Sequence, residues 1–379
     1  MLMLVRRVSR VSMGVSAGLE GVSIGETRIS FVDGQNGRLV YSAHDAVELA
    51  ESRSFEEVWF LLHNGRLPAA GELRGFTAEL RQSGRLKPEE VEAVLPVLRG
   101  EPMAALRSAL SVLAASRGLR PWLNRALSEL SSEAVGLAAA TPQLVEMVLH
   151  RRGPMAWDEP AGYAERYLWG VLGGRPEPGL ARALEAYLIL TADHGMNAST
   201  FAARVATSTA ADAGGALVAA IATLSGPLHG GAPGPVLDML DAAGTREEAR
   251  RWISAELAAG RRLMGFGHRV YRVDDPRAVA LRRVATEIGG PRVELARAVE
   301  QEALSALAEL KPSRPLRTNV EFWTAMVLER CGIPREAFSL TFTSSRMADW
   351  TAHVIEQASH NRLIRPTADY TGPMPPPPP

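Results

Sequence analysis

The sequence predicts an all-α protein with one short β-hairpin near its start, and three observations carry that reading. Helix-start and helix-stop signals recur from Ser54 to Gly332. β-Branched runs with strand character are confined to residues 22–42. A long stretch from Pro176 to Leu224 is dominated by Ala, Leu, Thr and Ser with few charges, the composition of buried helix.

Each element follows from local chemistry. Met1–Ala17 mixes arginines with short apolar pairs and lacks the continuous apolar segment of a signal peptide. We expect residues 1–17 to be a poorly ordered lead-in, with Met3 and Met13 as alternative starts. Val22–Val32 and Arg38–Ser42 flank Asp33-Gly34-Gln35-Asn36-Gly37, a Gly- and Asn-rich turn that reads as a hairpin. Ser54 with Glu57 forms a capping box ahead of an apolar run that stops at Asn64-Gly65. Thr245 with Glu248 repeats the signature before Ala249–Ala259. Asp275-Pro276 sets an N-cap and a first-turn proline for a helix closing at Gly289-Gly290, and Asn319 caps another closed by Gly332. The apolar Pro176–Leu224 stretch suits a core or an interface between subunits, so an obligate oligomer is expected. Pro373–Pro379 carries six prolines around Met374 and predicts extended polyproline.

Composition narrows the function classes. The 379 residues carry 42 Lys+Arg against 42 Asp+Glu, which argues against a nucleic-acid-coating or membrane-surface protein. Nothing approaches the roughly 20 apolar residues of a membrane span. The lone Cys331 excludes an internal disulfide and a cysteine-built metal cage. A globular, cytoplasmic protein is expected. Only Lys87 and Lys311 are lysines, so arginine supplies the other 40 positive charges. Codon usage in a GC-rich genome accounts for the bulk of that excess. Arginine's planar fork, however, suits carboxylate and phosphate binding wherever one sits in a motif.

Three of the eight histidines are flanked by small residues: Asp193-His194-Gly195, Leu228-His229-Gly230-Gly231 and Gly265-Phe266-Gly267-His268-Arg269. Glycine there permits unusual backbone angles and close ligand approach. His44, His63, His150, His353 and His360 read as solvent-facing or satisfied core residues. No histidine pair has the i, i+4 spacing of a zinc protease, so no metal is expected. A serine-hydrolase reading is disfavoured, with no G-x-S-x-G elbow expected.

Longer motifs then resemble the citrate synthase family. They are Asn197–Arg204, Gly226-Pro227-Leu228-His229-Gly230-Gly231, Gly265–Arg272 with Asp275-Pro276-Arg277, Asn319-Val320-Glu321-Phe322, Ser345-Arg346, Trp350–His353 and Asn361–Pro366. They run in family order from about Gly18 to Gly372. The resemblance implies an all-helical homodimer with a large domain (18–230 and 333–372) and a smaller mobile domain (231–332). It implies condensation of acetyl-CoA with oxaloacetate, a tricarboxylic acid cycle step, followed by thioester hydrolysis with no metal or redox cofactor. By the same match Glu321 is the base, His229 donates to the thioester carbonyl, and His268 polarises the ketone. His194, Arg277, Arg346 and Arg365 bind oxaloacetate, Arg365 reaching across from the partner subunit. Arg272 corresponds to a coenzyme A phosphate ligand, and Leu263, Met264, Gly265, Phe266 and Gly267 to the loop beside its adenine. A helix beginning near Pro235 would keep His229 a neutral donor.

Departures from the resemblance bear on rate and substrate. Most citrate synthases carry aspartate at the position of Glu321, and the extra methylene moves the carboxylate by about one bond, where ~1 Å can cost ~10²-fold. Trp323 is a neighbour able to compensate. The Asn-Val-Glu-Phe-Trp variant resembles an actinobacterial paralogue subgroup in which glutamate is the native form. Gly195 replaces the usual acidic residue, Tyr41-Ser42-Ala43-His44 a Tyr-Arg-Gly-Tyr element, and Asp349 the usual glycine before tryptophan. Two alternatives therefore stand beside citrate synthase: a propionyl-CoA-using 2-methylcitrate synthase, and a weakly active paralogue serving as a ligand-binding or heteromeric partner. One methylene is worth only ~1–3 kcal/mol in a pocket.

Overall fold

The computed structural model describes residues 16–156, 161–230, 233–310, 312 and 316–375. The expected lead-in at 1–17 lies outside the described residues except for Ser16 and Ala17, and of the proline tail only 373–375 are described.

The predicted hairpin is present. Strand β1 (Ser30–Asp33) pairs antiparallel with β2 (Arg38–Tyr41), Ser30 opposite Tyr41 and Asp33 opposite Arg38. Asp33 Oδ1 accepts from the amides of Gln35 and Asn36 at 3.2 and 3.0 Å, an Asx turn that reverses the chain. The first strand is shorter than the sequence suggests, since residues 22–29 have no partner strand. A third strand, β3 (His44–Asp45), pairs with β2. Its tight turn uses Ser42 and Ala43 at φ of 42° and 72°, a left-handed pair that no glycine or asparagine announces.

Sixteen α-helices follow among the described residues. Those before the first histidine motif are α1 (Ala46–Ser52), α2 (Phe55–Asn64), α3 (Ala70–Ser83), α4 (Pro88–Val94), α5 (Pro102–Ser116), α6 (Leu127–His150), α7 (Tyr163–Leu172) and α8 (Pro178–Thr191). Then come α9 (Ala198–Ser208), α10 (Ala213–Leu224), α11 (Pro233–Ala243) and α12 (Arg246–Ala258). The last four are α13 (Pro276–Ile288), α14 (Val293–Leu310), α15 (Val320–Arg330) and α16 (Phe338–Ser359). The capping boxes at Ser54 and Thr245 form with both hydrogen bonds made, and Asp275 and Asn319 cap α13 and α15 as the sequence indicates. Gly65 ends α2 in the left-handed conformation.

The charge-poor stretch resolves into α8, α9 and α10. Helix α16 runs through the core against α6, α8 and α9. It is polar for a buried helix, and local bonds make that tolerable. The hydroxyls of Thr341, Thr343 and Thr351 donate to carbonyls one turn back at 2.7–2.8 Å. Helices α12 and α14 pack together, as do α13 and α15, and this group meets the earlier helices chiefly through α8. No helix among the described residues is long and apolar enough to cross a membrane.

Candidate active site

Helix ends and the loops between helices carry the residues of interest. His194 follows the end of α8, where Gly195 takes φ of +60°. Asn197 then caps α9, its side chain accepting from the amides of Ser199 and Thr200. His229 sits in the loop between α10 and α11, and Gly230 has no room for a Cβ against the Leu224 carbonyl. His268 lies on the loop before α13. Arg277 is in the first turn of α13, Glu321 in the first turn of α15, and Arg346 in the middle of α16.

These residues converge. The rings of His194 and His268 are 5.5 Å apart, and Tyr271 stands 5.5 Å from the first and 4.7 Å from the second. His194 Nε2 is 3.3 Å from the Tyr271 hydroxyl. His268 Nδ1 accepts from the amides of Val270 and Tyr271 at 2.9 and 3.0 Å, which places the ring proton on Nε2. That Nε2 faces Arg277 Nη2 at 3.4 Å. His229 Nε2 lies 2.9 Å from Ser199 Oγ, which also accepts from Trp350 Nε1 at 3.3 Å and donates to Asn197 Oδ1 at 2.8 Å.

Two buried arginines join the three histidines electrostatically. Arg277 is held by its own N-cap, its Nε and Nη2 donating to the two Asp275 carboxylate oxygens at 3.0 and 2.8 Å. Arg346 is 2% exposed, and its Nε and Nη1 hydrogens have no hydrogen-bond acceptor in the protein. Its nearest carboxyl oxygen, on Asp349, stands 3.5 Å away. A buried guanidinium with unused donors is costly unless an anion completes it.

All three histidines are neutral at pH 7. Burial pushes His229 down to about 4, with Arg346 adding to it. Burial and then Arg277 take His268 down to about 4. His194 falls well below its ordinary value through burial, with Arg277, Arg346 and His268 reinforcing the shift. The neutral His229 foreseen in the sequence thus has burial and Arg346 as its cause, where the sequence had suggested a helix terminus. Glu321 is pushed up by burial, with Arg277 pulling the other way.

The glycine-rich loop is tied to the Glu321 helix. Gly267 N donates to the Arg317 carbonyl at 2.7 Å and Asn319 N to the Gly265 carbonyl at 2.9 Å. Asn319 Nδ2 adds a bond to the Gly267 carbonyl at 3.0 Å. Gly265 (φ +84°) lies so close to Phe322 that a Cβ would stand 2.8 Å from its side chain. Leu263 is buried in this loop, Met264 and Phe266 half-buried. Trp323 is not beside the Glu321 carboxyl as a hydrogen-bond partner; its Nε1 donates to the buried Glu300 at 2.9 Å, which also accepts from Thr318.

Two candidates lie outside the cluster. Arg272 is exposed, and its backbone amide donates to the Gly34 carbonyl of the hairpin at 2.8 Å. Gly34 has no space for a Cβ, because the Val270 carbonyl fills it. Arg365 is exposed on the segment after α16, which is pinned by Ile364 N to Ser208 Oγ at 3.1 Å. Contrary to the sequence reading, the spelling G-x-S-x-G does occur, at residues 14–18 and 21–25, but Ser23 is exposed in irregular chain with no strand before it among the described residues.

Sequence reasoning named Asp349 and His353 singly but did not join them to Asp193, with which they form a fully buried polar group behind Arg346. A signal was present: Arg346, Asp349 and His353 fall at i, i+3 and i+7 on one helix face. His353, first read as a satisfied core residue, is satisfied, but by two carboxyls and an arginine.

A family profile described as citrate synthase, C-terminal domain, matches residues 18–367. The chain is 39% identical over 368 residues to a citrate synthase of Haloferax volcanii, spanning 94% of this chain and 95% of that one. It is 36% identical to a 2-methylcitrate synthase of Mycobacterium tuberculosis, spanning 94% and 91%. Among solved structures, a citrate synthase of Thermoplasma acidophilum in ternary complex with carboxymethyl coenzyme A and oxaloacetate superposes with a TM-score of 0.85 at 28% identity, covering 96% of this chain and 97% of that one.

Proposed function

The chain belongs to the citrate synthase family, an enzyme family of the transferase type, and from that premise we propose that it condenses acetyl-CoA with oxaloacetate and hydrolyses the product thioester to citrate and coenzyme A. The observation that carries the reading is Arg346: a buried cation with unused donors, beside Arg277 and three neutral histidines. That is a receptor for a small dicarboxylate carrying a polar carbonyl.

In this reading oxaloacetate sets its carboxylates on Arg277 and Arg346, with His194 on the same molecule. His268 offers Nε2–H to the ketone oxygen, an assignment its two amide donors at Nδ1 support. Glu321 as carboxylate takes a proton from the acyl methyl group, and its raised pKa makes it the stronger base. His229 steadies the developing enolate oxygen. The enolate carbon then bonds to the ketone carbon while His268 supports the new alkoxide, and water cleaves the thioester. Acid–base groups supply every step, with the thioester a substrate and no metal or redox cofactor called for.

Arg272 and the Leu263–Gly267 loop are the proposed contacts for coenzyme A, and residues 231–332 the proposed mobile domain. We further propose a cytoplasmic homodimer, with Arg365 acting in the partner's site. The likeness to a 2-methylcitrate synthase keeps propionyl-CoA as a second acyl donor. Thiol release from acetyl-CoA and propionyl-CoA, each with and without oxaloacetate, tests both. Oxaloacetate-dependent release from acetyl-CoA is expected. A preference for propionyl-CoA would make the 2-methylcitrate reading the better one, and no release from either would refute both.

A further inference from the structure

Behind Arg346 two carboxyl groups share one buried site. Asp193 and Asp349 are both 0% exposed, and His353 Nε2, also fully buried, lies 3.0 Å from Asp193 Oδ2 and 3.1 Å from Asp349 Oδ1. Hydrogen bonds divide unequally between them. Asp193 accepts from the Ser30 hydroxyl, from the Gly195 amide at 2.6 Å, and from His353 Nε2 at 3.0 Å. The His353 proton must be on Nε2, because Nδ1 accepts from Arg204 Nε at 2.8 Å. Asp349 receives only the Thr200 hydroxyl, at 2.7 Å on Oδ2. Its Oδ1 accepts no hydrogen bond and lies 3.1 Å from His353 Nε2, whose proton Asp193 Oδ2 takes at 3.0 Å, as suits an oxygen that itself carries a proton.

Two like charges in contact inside a protein cannot both persist. The donor count assigns the negative charge to Asp193 and the proton to Asp349. Electrostatics agree in direction: at Asp193 burial is overcome by His353, Asp349 and Ser30, whereas burial and the Asp193 charge push Asp349 well above the carboxylate range. The consequence falls on Arg346, whose Nη1 is 3.5 Å from Asp349 Oδ2, too far for a strong hydrogen bond. The three side chains also offer ligand atoms within 4.8 Å of one another. A cation there would sit between the guanidinium groups of Arg204 and Arg346, which makes proton sharing the better account.

We propose that Asp349 is a positioning residue whose attachment to Asp193 and Thr200 withholds a competing carboxylate from Arg346, leaving that guanidinium to the dicarboxylate substrate. This rests on the oxaloacetate reading of the site given above. It also gives a role to one departure from the family pattern, because Asp349 stands where the resemblance leads one to expect glycine.

The test is calorimetric binding of oxaloacetate to the full-length protein. Asp193→Asn removes the charge that holds the Asp349 proton, so Asp349 ionises and pairs with Arg346; affinity is expected to fall tenfold or more. Adding Asp349→Asn to that variant removes the competitor and should recover most of the loss. A general structural defect would be deepened by the second change. Normal wild-type binding with an Asp193→Asn variant unaltered, or with no recovery in the double variant, overturns the proposal alone. A wild-type protein that binds no oxaloacetate overturns the site reading and the proposal with it. Should Asp193→Asn not fold, the infrared difference between wild type and Asp349→Asn at neutral pH decides. The C=O stretch of a protonated carboxylic acid is expected in the wild type, and a carboxylate band in its place refutes the idea.

Discussion

Nε2 of His268 faces Nη2 of Arg277 at 3.4 Å, and both atoms carry hydrogen because His268 Nδ1 is already occupied by two backbone amides. Two donors aimed at one point call for an acceptor oxygen between them. His268→Ala is therefore expected to lower kcat by ~10²–10³-fold, the usual cost of removing one donor to a developing oxyanion. Arg277, still held by Asp275, should keep oxaloacetate affinity within about tenfold. Steady-state kinetics with parallel calorimetry would separate the two.

Glu321→Gln removes the proposed base and keeps the shape. Turnover should fall by ~10²–10⁴-fold while oxaloacetate binding stays close to wild type. Loss of oxaloacetate binding in this variant would place Glu321 in a different role.

The pH profile should show one acid limb belonging to Glu321. Its folded pKa is raised by burial, so kcat/KM for the acyl-CoA falls as pH drops through a value above that of ordinary glutamate. His229 and His268, at about 4, should contribute no inflection between pH 6 and 7. They do act on stability. In the unfolded chain each takes up a proton near 6.5, but in the folded chain only near 4, so unfolding binds protons within that window. Stability is present above about 6.5 and is lost as pH falls towards 4. Calorimetric scans should show Tm dropping by several degrees across that interval.

Complementation tests the proposed sharing of the site between subunits. Arg365→Ala and Glu321→Gln should each be nearly inactive alone. Mixed under conditions that exchange subunits, they should regain roughly a quarter of wild-type activity, since half the dimers would be mixed, each with one intact site. No recovery would place Arg365 in its own chain's chemistry or outside the chemistry altogether.

Gly265→Ala combines a left-handed backbone with a Cβ 2.8 Å from the Phe322 side chain. The conformational cost alone is ~1–2 kcal/mol. Because this loop is bonded to the Asn319 cap, KM for acyl-CoA should rise and kcat fall together, with a lower Tm.

Much of the helical plan was legible because its signals are local. Ser54 and Glu57, Thr245 and Glu248, and Asp275 with Pro276 each settle a helix start within four residues. The third strand was not, because Ser42 and Ala43 adopt left-handed angles under tertiary constraint, with Ser42 N donating to the Ile29 carbonyl at 2.9 Å. In the site, motif resemblance picked out His194, His229, His268, Arg277, Glu321 and Arg346, which the fold brings into electrostatic contact. The Asp193–Asp349 pair escaped because its partners are 156 positions apart in sequence, and neither position gives an outward sign of sharing a proton. The role foreseen for Trp323 failed because its indole is committed to Glu300 across the α14–α15 contact, a partner no local pattern names.

The N-terminal hairpin is more than a cover over the helices. Gly34 accepts from Arg272 in the loop that also carries His268, and Ser30 donates to Asp193 beside His194. The hairpin, residues 30–41, thus acts as a brace on two histidines that come more than 150 positions later. A shortened version of this protein, trimmed to its helical body for crystallisation or expression, would in effect be an active-site mutant. Its loss of activity would say nothing about the chemistry of the residues that remain.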